Sequence, residues 1–398
     1  MKEIRGSNVP RRQFLQYGAA LTTGMAILPG VVRSATAANN KVRVGVIGCG
    51  GRGAWIAGLF NESGLAEVVA LHDVFQDRVD AAGEKHGVPP ERRFTGLDGY
   101  HALLEHELDA VAIISPPYFH PEQAVAALAK GKHVYLAKPI AVEVPGCKDI
   151  LDAAEKVRGN QSVFVDFQTR SNEFFQGAAQ RVHEGFIGEP VCGQFFYHTG
   201  RLGIKMPPGT EEARLRNWVF DKALSGDIIV EQNIHVLDVA NWYLQGHPVK
   251  AHGWGGRRVR VDVGDCWDHF VVGYVYANDV LVDFSSTQFN YGFDDLCMRL
   301  FCSEGTVESH YGGDVEIRGK KNGWKGGNTG KIYHDGAVIN IHDFCTALQN
   351  GQTLHNIEAS AESTMTSILG RMAAYEQREV TWDEMAASTV RLDPKLSL

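Results

Sequence analysis

The sequence holds no C-x-x-C pair and no H-E-x-x-H, and its seven cysteines (49, 147, 192, 266, 297, 302 and 345) are an odd, scattered set. Without close-set thiols or paired helical histidines, the zinc-ribbon and thioredoxin-like classes fall away, and no structural or catalytic metal is expected. The cysteines read as small buried hydrophobes, with one disulfide left open as an alternative. No stretch is apolar for about 18 residues without interruption, so no permanent membrane span is expected. Basic runs are missing too. The net charge is -8, and residues 1–37 contribute five basic groups against Glu3, which leaves the remainder near -12. So acidic a body speaks against a nucleic-acid partner. Internal repeats are absent, and 398 residues suffice for two domains with a sizeable core.

What is present begins at Lys41 to Gly53. The β-branched run Val42 to Ile47 enters Gly48, Gly50 and Gly53, spaced G-x-G-x-x-G, and a helix-compatible segment follows. Gly48 permits a tight turn, while Gly50 and Gly51 let backbone N–H groups approach a pyrophosphate. Gly53 lets the helix pack on its strand with its N-terminus facing the phosphates. Asp73 ends the next apolar run, about 20 residues on, where a carboxylate takes the adenine-ribose hydroxyls. The cofactor is therefore expected to be NAD. Arg52 keeps NADP open.

Upstream, Arg11-Arg12-Gln13-Phe14-Leu15 precedes a mildly apolar Gly/Ala/Thr-rich run and a small-x-small site at Ala35-Thr36-Ala37. This resembles a twin-arginine export signal over residues 1–37, cleaved after Ala37, and implies a periplasmic protein. No lipobox-type cysteine accompanies it.

Downstream, strands and helices alternate to about residue 168. Asp109 to Ser115 and His133 to Ala137 are apolar on both faces, as a helix-covered parallel sheet requires. Ser115, Pro116, His120 and Lys138 stand at or beyond the strand ends, where ligands bind in open parallel sheets. From Pro190 to Ile317 long alternating runs read as an antiparallel sheet with one polar face. The division expected is a Rossmann domain over 38–160 and an α+β domain with an open sheet over 161–398. Two C-terminal helices (338–350 and 357–375) pack back on the first domain. Trp324 to Lys331, rich in Gly and Lys, reads as an exposed loop.

One helical block interrupts the strand-rich part, from Asp227 to Leu244. Helical spacing places Glu231, His235 and Asp238 on one stripe, where a carboxylate one turn from an imidazole orients it for proton transfer. A solvated polar helix face is the bland alternative. Gln168 and Arg170 follow the last strand of the alternating region and are expected to line the same cavity. Trp218, after the long loop 198–217, could stack on a sugar face.

Taken together, the glycine loop, Ser115-Pro116 with His120, Gly131 to Pro139, Phe186-Ile187-Gly188-Glu189-Pro190 and Glu231…His235…Asp238 are similar to the glucose–fructose oxidoreductase, inositol dehydrogenase and MocA family (Gfo/Idh/MocA). The similarity runs from Lys41 onward. It implies catalytic roles for Lys138, Glu231 and His235, a sugar or cyclitol alcohol as substrate, and homodimers or homotetramers formed through the open sheet face. Lys138, Arg170, Trp218, Glu231 and His235 are then the expected substrate contacts. Two departures stand out: Ala137 occupies the place of the usual Glu, and Glu231 that of the commoner Asp. Export adds a constraint, since no nicotinamide pool exists outside the cytoplasm. A retained, internally recycled cofactor fits best. The alternatives are a glycosidase working by transient oxidation, elimination and re-reduction, and a non-catalytic sugar-binding protein.

Overall fold

A computed structural model describes residues 41–397. Residues 1–37, where an export signal is expected, lie outside the described residues. Among those described, no helix is long and apolar enough to cross a membrane.

The first sheet is parallel and contains β1 (Val42–Ile47), β2 (Ala66–Asp73), β3 (Arg93–Thr95), β4 (Ala110–Ile113), β5 (His133–Ala137) and β6 (Val163–Asp166). Their order is β3-β2-β1-β4-β5-β6, so the chain reverses direction across the sheet between β1 and β4. A crevice opens there beyond the carboxyl ends. The residues of β4 are all buried, because helices cover both faces and every side chain must be apolar.

The second sheet is formed by β7 (Pro190–Thr199), β8 (Lys250–Gly256), β9 (His269–Val275), β10 (Leu281–Gln288), β11 (Asp295–Cys302), β12 (Gly305–His310), β13 (Asp314–Gly319), β14 (Gly323–Asn328) and β15 (Val380–Thr381). It runs β14-β13-β12-β11-β7-β10-β9-β8-β15 and is antiparallel except where β10 pairs with β7. Alternation assigns the faces. Phe195, Tyr197, Phe284, Met298 and Leu300 are buried in the core, while Asp283, Ser285, Asp295 and Arg299 belong to the opposite, uncovered face. The helices Ile332–Gln349 and Ile357–Glu376 close the structure. The first packs Ala337, Ile341 and Phe344 into the core of the parallel sheet.

Two expectations are corrected. Residues 324–328 belong to an edge strand, β14, rather than a loop. Its glycines make room for aromatic rings: a Cβ at Gly326 would lie 2.6 Å from the Trp324 ring, and one at Gly327 would lie 2.5 Å from Phe174. The Asp227 block is two helices, Ile228–Glu231 and Ile234–Leu244, broken at Gln232 and Asn233. Glu231 and His235 are therefore not successive turns of one helix.

Candidate active site

The glycine loop connects β1 to the helix Gly51–Glu62, whose N-terminus has no side-chain cap. Its first N–H groups consequently face the crevice without internal partners. A Cβ on Gly53 would lie 1.7 Å from the Gly48 carbonyl oxygen, and Gly48 itself has φ +92°. These two positions require glycine; at Gly51 a Cβ would meet nothing. Asp73 is buried, its Oδ2 accepting from the Cys49 amide at 2.8 Å and its Oδ1 from the Phe75 amide at 3.0 Å. Gly48, Asp73, Phe75, Arg78, Ser115 and Pro116 line one cleft, and Leu215 reaches into it from the far half of the chain. An uncapped helix N-terminus, a glycine cradle and a ribose-side carboxylate fit NAD.

The sequence reading missed Arg78, which is the cation near Asp73 (Nη1 to Oδ1, 3.9 Å). Arg52, considered for a 2′-phosphate, is at the opposite end of the crevice. It pairs with buried Asp166 and lies 5.0 Å from the Tyr333 ring centre. Asp166 stands in register with Ala137 on the neighbouring strand. A buried carboxylate thus occupies the strand end beside the position where the family's glutamate is missing.

His120 is also placed differently from expectation. Its ring is fully buried, with Nδ1 2.8 Å from the Pro139 carbonyl oxygen and Nε2 2.9 Å from that of Ser115. Both nitrogens face carbonyl oxygens inside the protein, and the neutral ring donates its one N–H to one of them. The ring instead ties the Ser115 loop to the Lys138-Pro139 turn. Burial lowers its pKa to about 4, against the two carbonyls that raise it.

A second cavity, of about 390 Å³, adjoins the carboxyl end of β5. Arg52, Lys138, Gln168, Tyr197, Trp218, Glu231, His235, Tyr311 and Tyr333 line it. Lys138 donates from Nζ to the Glu231 backbone oxygen at 2.5 Å and to its Oε1 at 3.2 Å. Among the described residues, no hydrogen bond joins Glu231 to His235. Glu231 therefore fixes the lysine rather than the imidazole. His235 is nine-tenths buried, and its Nδ1 hydrogen-bonds nothing in the protein. Burial first, then the charges of Lys138 and Arg52, hold its pKa well below the usual histidine value. The ring is therefore held neutral, with Nδ1 free of any partner among the described residues.

Arg170 and Asp238 lie apart from this cavity. Arg170 forms a bidentate pair with buried Asp238 at 2.9 and 2.8 Å, and Asp238 also accepts from Ser363. The guanidinium sits over the Trp242 ring. This ion pair holds packed elements together, and neither residue lines the cavity of Lys138 and His235. Gln168 and Trp218 do line the cavity, as expected. Tyr197 and Tyr311 went unnoticed in the sequence. Tyr197 is one of several inward residues of β7, and Tyr311 just follows β12; neither sits in a motif.

Residues 42–167 match the family model described as an oxidoreductase family with an NAD-binding Rossmann fold, and residues 175–308 match the model of the GFO/IDH/MocA C-terminal domain. The chain belongs to the Gfo/Idh/MocA oxidoreductase family. Among curated relatives, it is 28% identical to an inositol 2-dehydrogenase of Acidothermus cellulolyticus over 259 residues, covering 65% of this chain and 70% of the relative. Among solved structures, a levoglucosan dehydrogenase bound to NADH and levoglucosan superposes with a TM-score of 0.71 at 18% identity, covering 86% of this chain and 99% of the other. An aldose–aldose oxidoreductase of Caulobacter crescentus, complexed with glycerol, superposes with the same score of 0.71 at 17% identity, covering 86% and 100%. At these identities the structures establish the shared fold. The family supplies the NAD-binding oxidoreductase assignment, which the glycine cradle and Asp73 support independently.

Proposed function

We propose that the protein oxidises a secondary alcohol of a sugar, glycoside or cyclitol, and that it does so in the periplasm with a cofactor it keeps. The observation that carries this reading is the placement of Lys138 and His235 in one cavity, at the end of the sheet that also bears the glycine cradle. Bound NAD supplies the hydride acceptor. The chain's own residues then bind and orient the alcohol and manage its proton. Lys138, cationic and pinned by Glu231, donates hydrogen bonds to the hydroxyl oxygen and stabilises negative charge developing there. Neutral His235 takes the hydroxyl proton. Trp218, Tyr197 and Tyr311 supply the aromatic faces and hydroxyls that suit a polyol ring. The names of the similar proteins point to the same substrate class.

Cofactor retention is supported by the far half of the chain. The helix Glu211–Arg216 lies against the adenine end: Leu215 enters that cleft, and Arg216 pairs with Asp77 through two bonds of 3.0 and 2.7 Å. Its guanidinium also lies 4.0 Å from the Phe75 ring centre. Such a strap opposes exchange. Outside the cytoplasm, a second substrate must then take back the two electrons and two protons that the first gives up. Assembly as a dimer or tetramer across the uncovered face is part of the proposal, since Trp254, Val271 and Leu281 expose large apolar surface there.

The test is to dialyse purified protein exhaustively and record nicotinamide absorbance before and after adding myo-inositol, levoglucosan or glucose. Retained absorbance that shifts with one of these supports the reading. Protein that never binds NAD, or that binds it but responds to no polyol, overturns it. Release of nitrophenol from a chromogenic glycoside would replace net oxidation with the glycosidase cycle. Changing Arg11 and Arg12 to lysine should hold the protein in the cytoplasm, and unaltered export would remove the twin-arginine route.

A further inference from the structure

Three ligand-type side chains from two consecutive strands converge on the uncovered face of the second sheet. Asp295 and Cys297 come from β11, and His310 comes from β12, directly across from Cys297 in the strand register. One donor atom from each, a carboxylate oxygen, Sγ and a ring nitrogen, falls within 4.8 Å of the other two. The Asp295 Oδ1 to His310 Nδ1 separation is 3.5 Å. From these contacts we infer a divalent-metal site of the zinc class, with thiolate, imidazole and carboxylate as its protein ligands.

Two further observations point to a ligand rather than to a simple ion-pair cluster. Cys297 is fully buried, yet its sulfur makes no hydrogen bond among the described residues; it is directed at the two other donors. The second concerns the far side of the imidazole. His310 Nε2 lies 3.0 Å from Glu308 Oε1, and the Arg299 guanidinium holds the other oxygen of that carboxylate at 2.5 Å. A carboxylate on the remote nitrogen fixes the ring so that Nδ1 faces the metal and makes it a better donor, an arrangement common behind metal-bound histidines. Glu308 is thus a positioning residue and Arg299 its support.

The donor set selects the ion. One thiolate with one imidazole suits zinc or cobalt, whereas magnesium and calcium prefer oxygen alone. Three protein ligands leave a fourth position for water, and the Asp295 and His310 side chains are partly exposed in the single chain. Binding expels the Cys297 thiol proton, with no change of oxidation state. This site is separate from the catalytic cavity and does not depend on the proposed activity.

The experiment uses the full chain, stripped with a chelator and titrated with cobalt(II). One equivalent should produce a thiolate-to-cobalt charge-transfer band in the near ultraviolet together with visible bands of tetrahedral cobalt, and zinc should displace both. Cys297→Ser should abolish the charge-transfer band while leaving NAD binding unchanged, which confirms an intact fold. Glu308→Gln should weaken cobalt binding by about 10- to 100-fold without removing the band. Should Cys297→Ser fail to fold, Asp295→Asn serves instead, with the band kept and the affinity lowered. Absence of a band in the unmodified chain overturns the proposal. So does an unchanged band in Cys297→Ser, which would place the cobalt on another cysteine.

Discussion

The two ends of the cofactor crevice are built differently. At the adenine end nearly everything comes from one short stretch, Gly48 to Arg78, and the backbone does most of the work: uncapped amides, a carbonyl packed against glycine, a carboxylate clamped by two amides. At the other end, the proposed catalytic cavity, the groups are side chains from remote parts of the chain, among them Lys138 after β5, Glu231 and His235 on either side of a helix break, and Tyr311 after β12. Backbone recognition tolerates change poorly but needs little sequence. Side-chain recognition depends on the whole fold arriving at one place, and a single substitution can remove one chemical role while leaving the rest intact.

The largest effect should therefore be a clean separation of chemistry from cofactor binding. Lys138→Ala removes the cation proposed to stabilise the reacting oxygen and frees Glu231, and kcat should fall by about 10²- to 10⁴-fold. NAD affinity, measured by titration, should stay within a few-fold of the parent. Equal loss of both would mean that the two ends are not separable and that Lys138 serves mainly to hold the cofactor.

The ring of His120 joins the two ends, bridging the Ser115 and Pro139 carbonyls. Its effect should appear in stability. Its folded pKa of about 4 lies below the ordinary value of 6.5, with burial as the main cause. Above pH 6.5 both folded and unfolded chains hold it neutral. Between 6.5 and 4 the unfolded chain takes up a proton that the folded chain refuses, so stability falls as pH falls through this window and levels off below it. The linkage amounts to roughly 3 kcal/mol. His120→Gln should remove that part of the slope in denaturant unfolding measured at pH 7 and pH 4.5. An undiminished slope would assign the acid sensitivity to other buried histidines, such as His72.

Next in size is a change confined to the adenine end. Gly53→Ala would place a methyl group 1.7 Å from the Gly48 oxygen, so the loop must shift. The strain, about 1–3 kcal/mol, corresponds to NAD binding weaker by roughly 10- to 100-fold. Gly51→Ala, where a Cβ meets nothing, is the matched control and should bind NAD normally. If both variants bind alike, the close packing of loop and helix is not what forms the cradle.

The same contrast explains what could be read before any coordinates. The glycine spacing, Asp73 and the buried strands were legible because each depends on local geometry with a fixed period. Lys138 was found through its place at a strand end, a topological rule. The Glu231–His235 pairing was misread because helical spacing assumes an unbroken helix. The chain breaks at Gln232 and Asn233, and no local signal told that Lys138 would claim the carboxylate. Arg170 stood in the right segment but pairs with Asp238, a partner 68 residues away. The Asp295–Cys297–His310 cluster matches no standard metal-ligand spacing, and it is the register of two paired strands that brings it together. Ala137 is the instructive departure. Its missing carboxylate read as a loss, whereas the adjacent strand offers Asp166 with Arg52 locked on it.

The smallest effect tests whether the adenine end is wholly local. Arg216 belongs to the far half of the chain, yet it pairs with Asp77 and lies over Phe75, both on the adenine rim. An exposed ion pair contributes at most about 1 kcal/mol, and a cation over a ring adds about 0.5–1 kcal/mol. Together they correspond to about tenfold in a rate. Arg216→Ala should accordingly release NADH about tenfold faster when the bound fluorescence is chased with excess unlabelled cofactor, while its global stability stays close to that of the parent. Asp77→Asn, which keeps the ring contact, should give a smaller acceleration. An unchanged release rate in Arg216→Ala would leave the glycine cradle as the sole source of retention. The two ends would then be independent in kinetics as well as in construction, and a recycled cofactor would need some other means of staying bound.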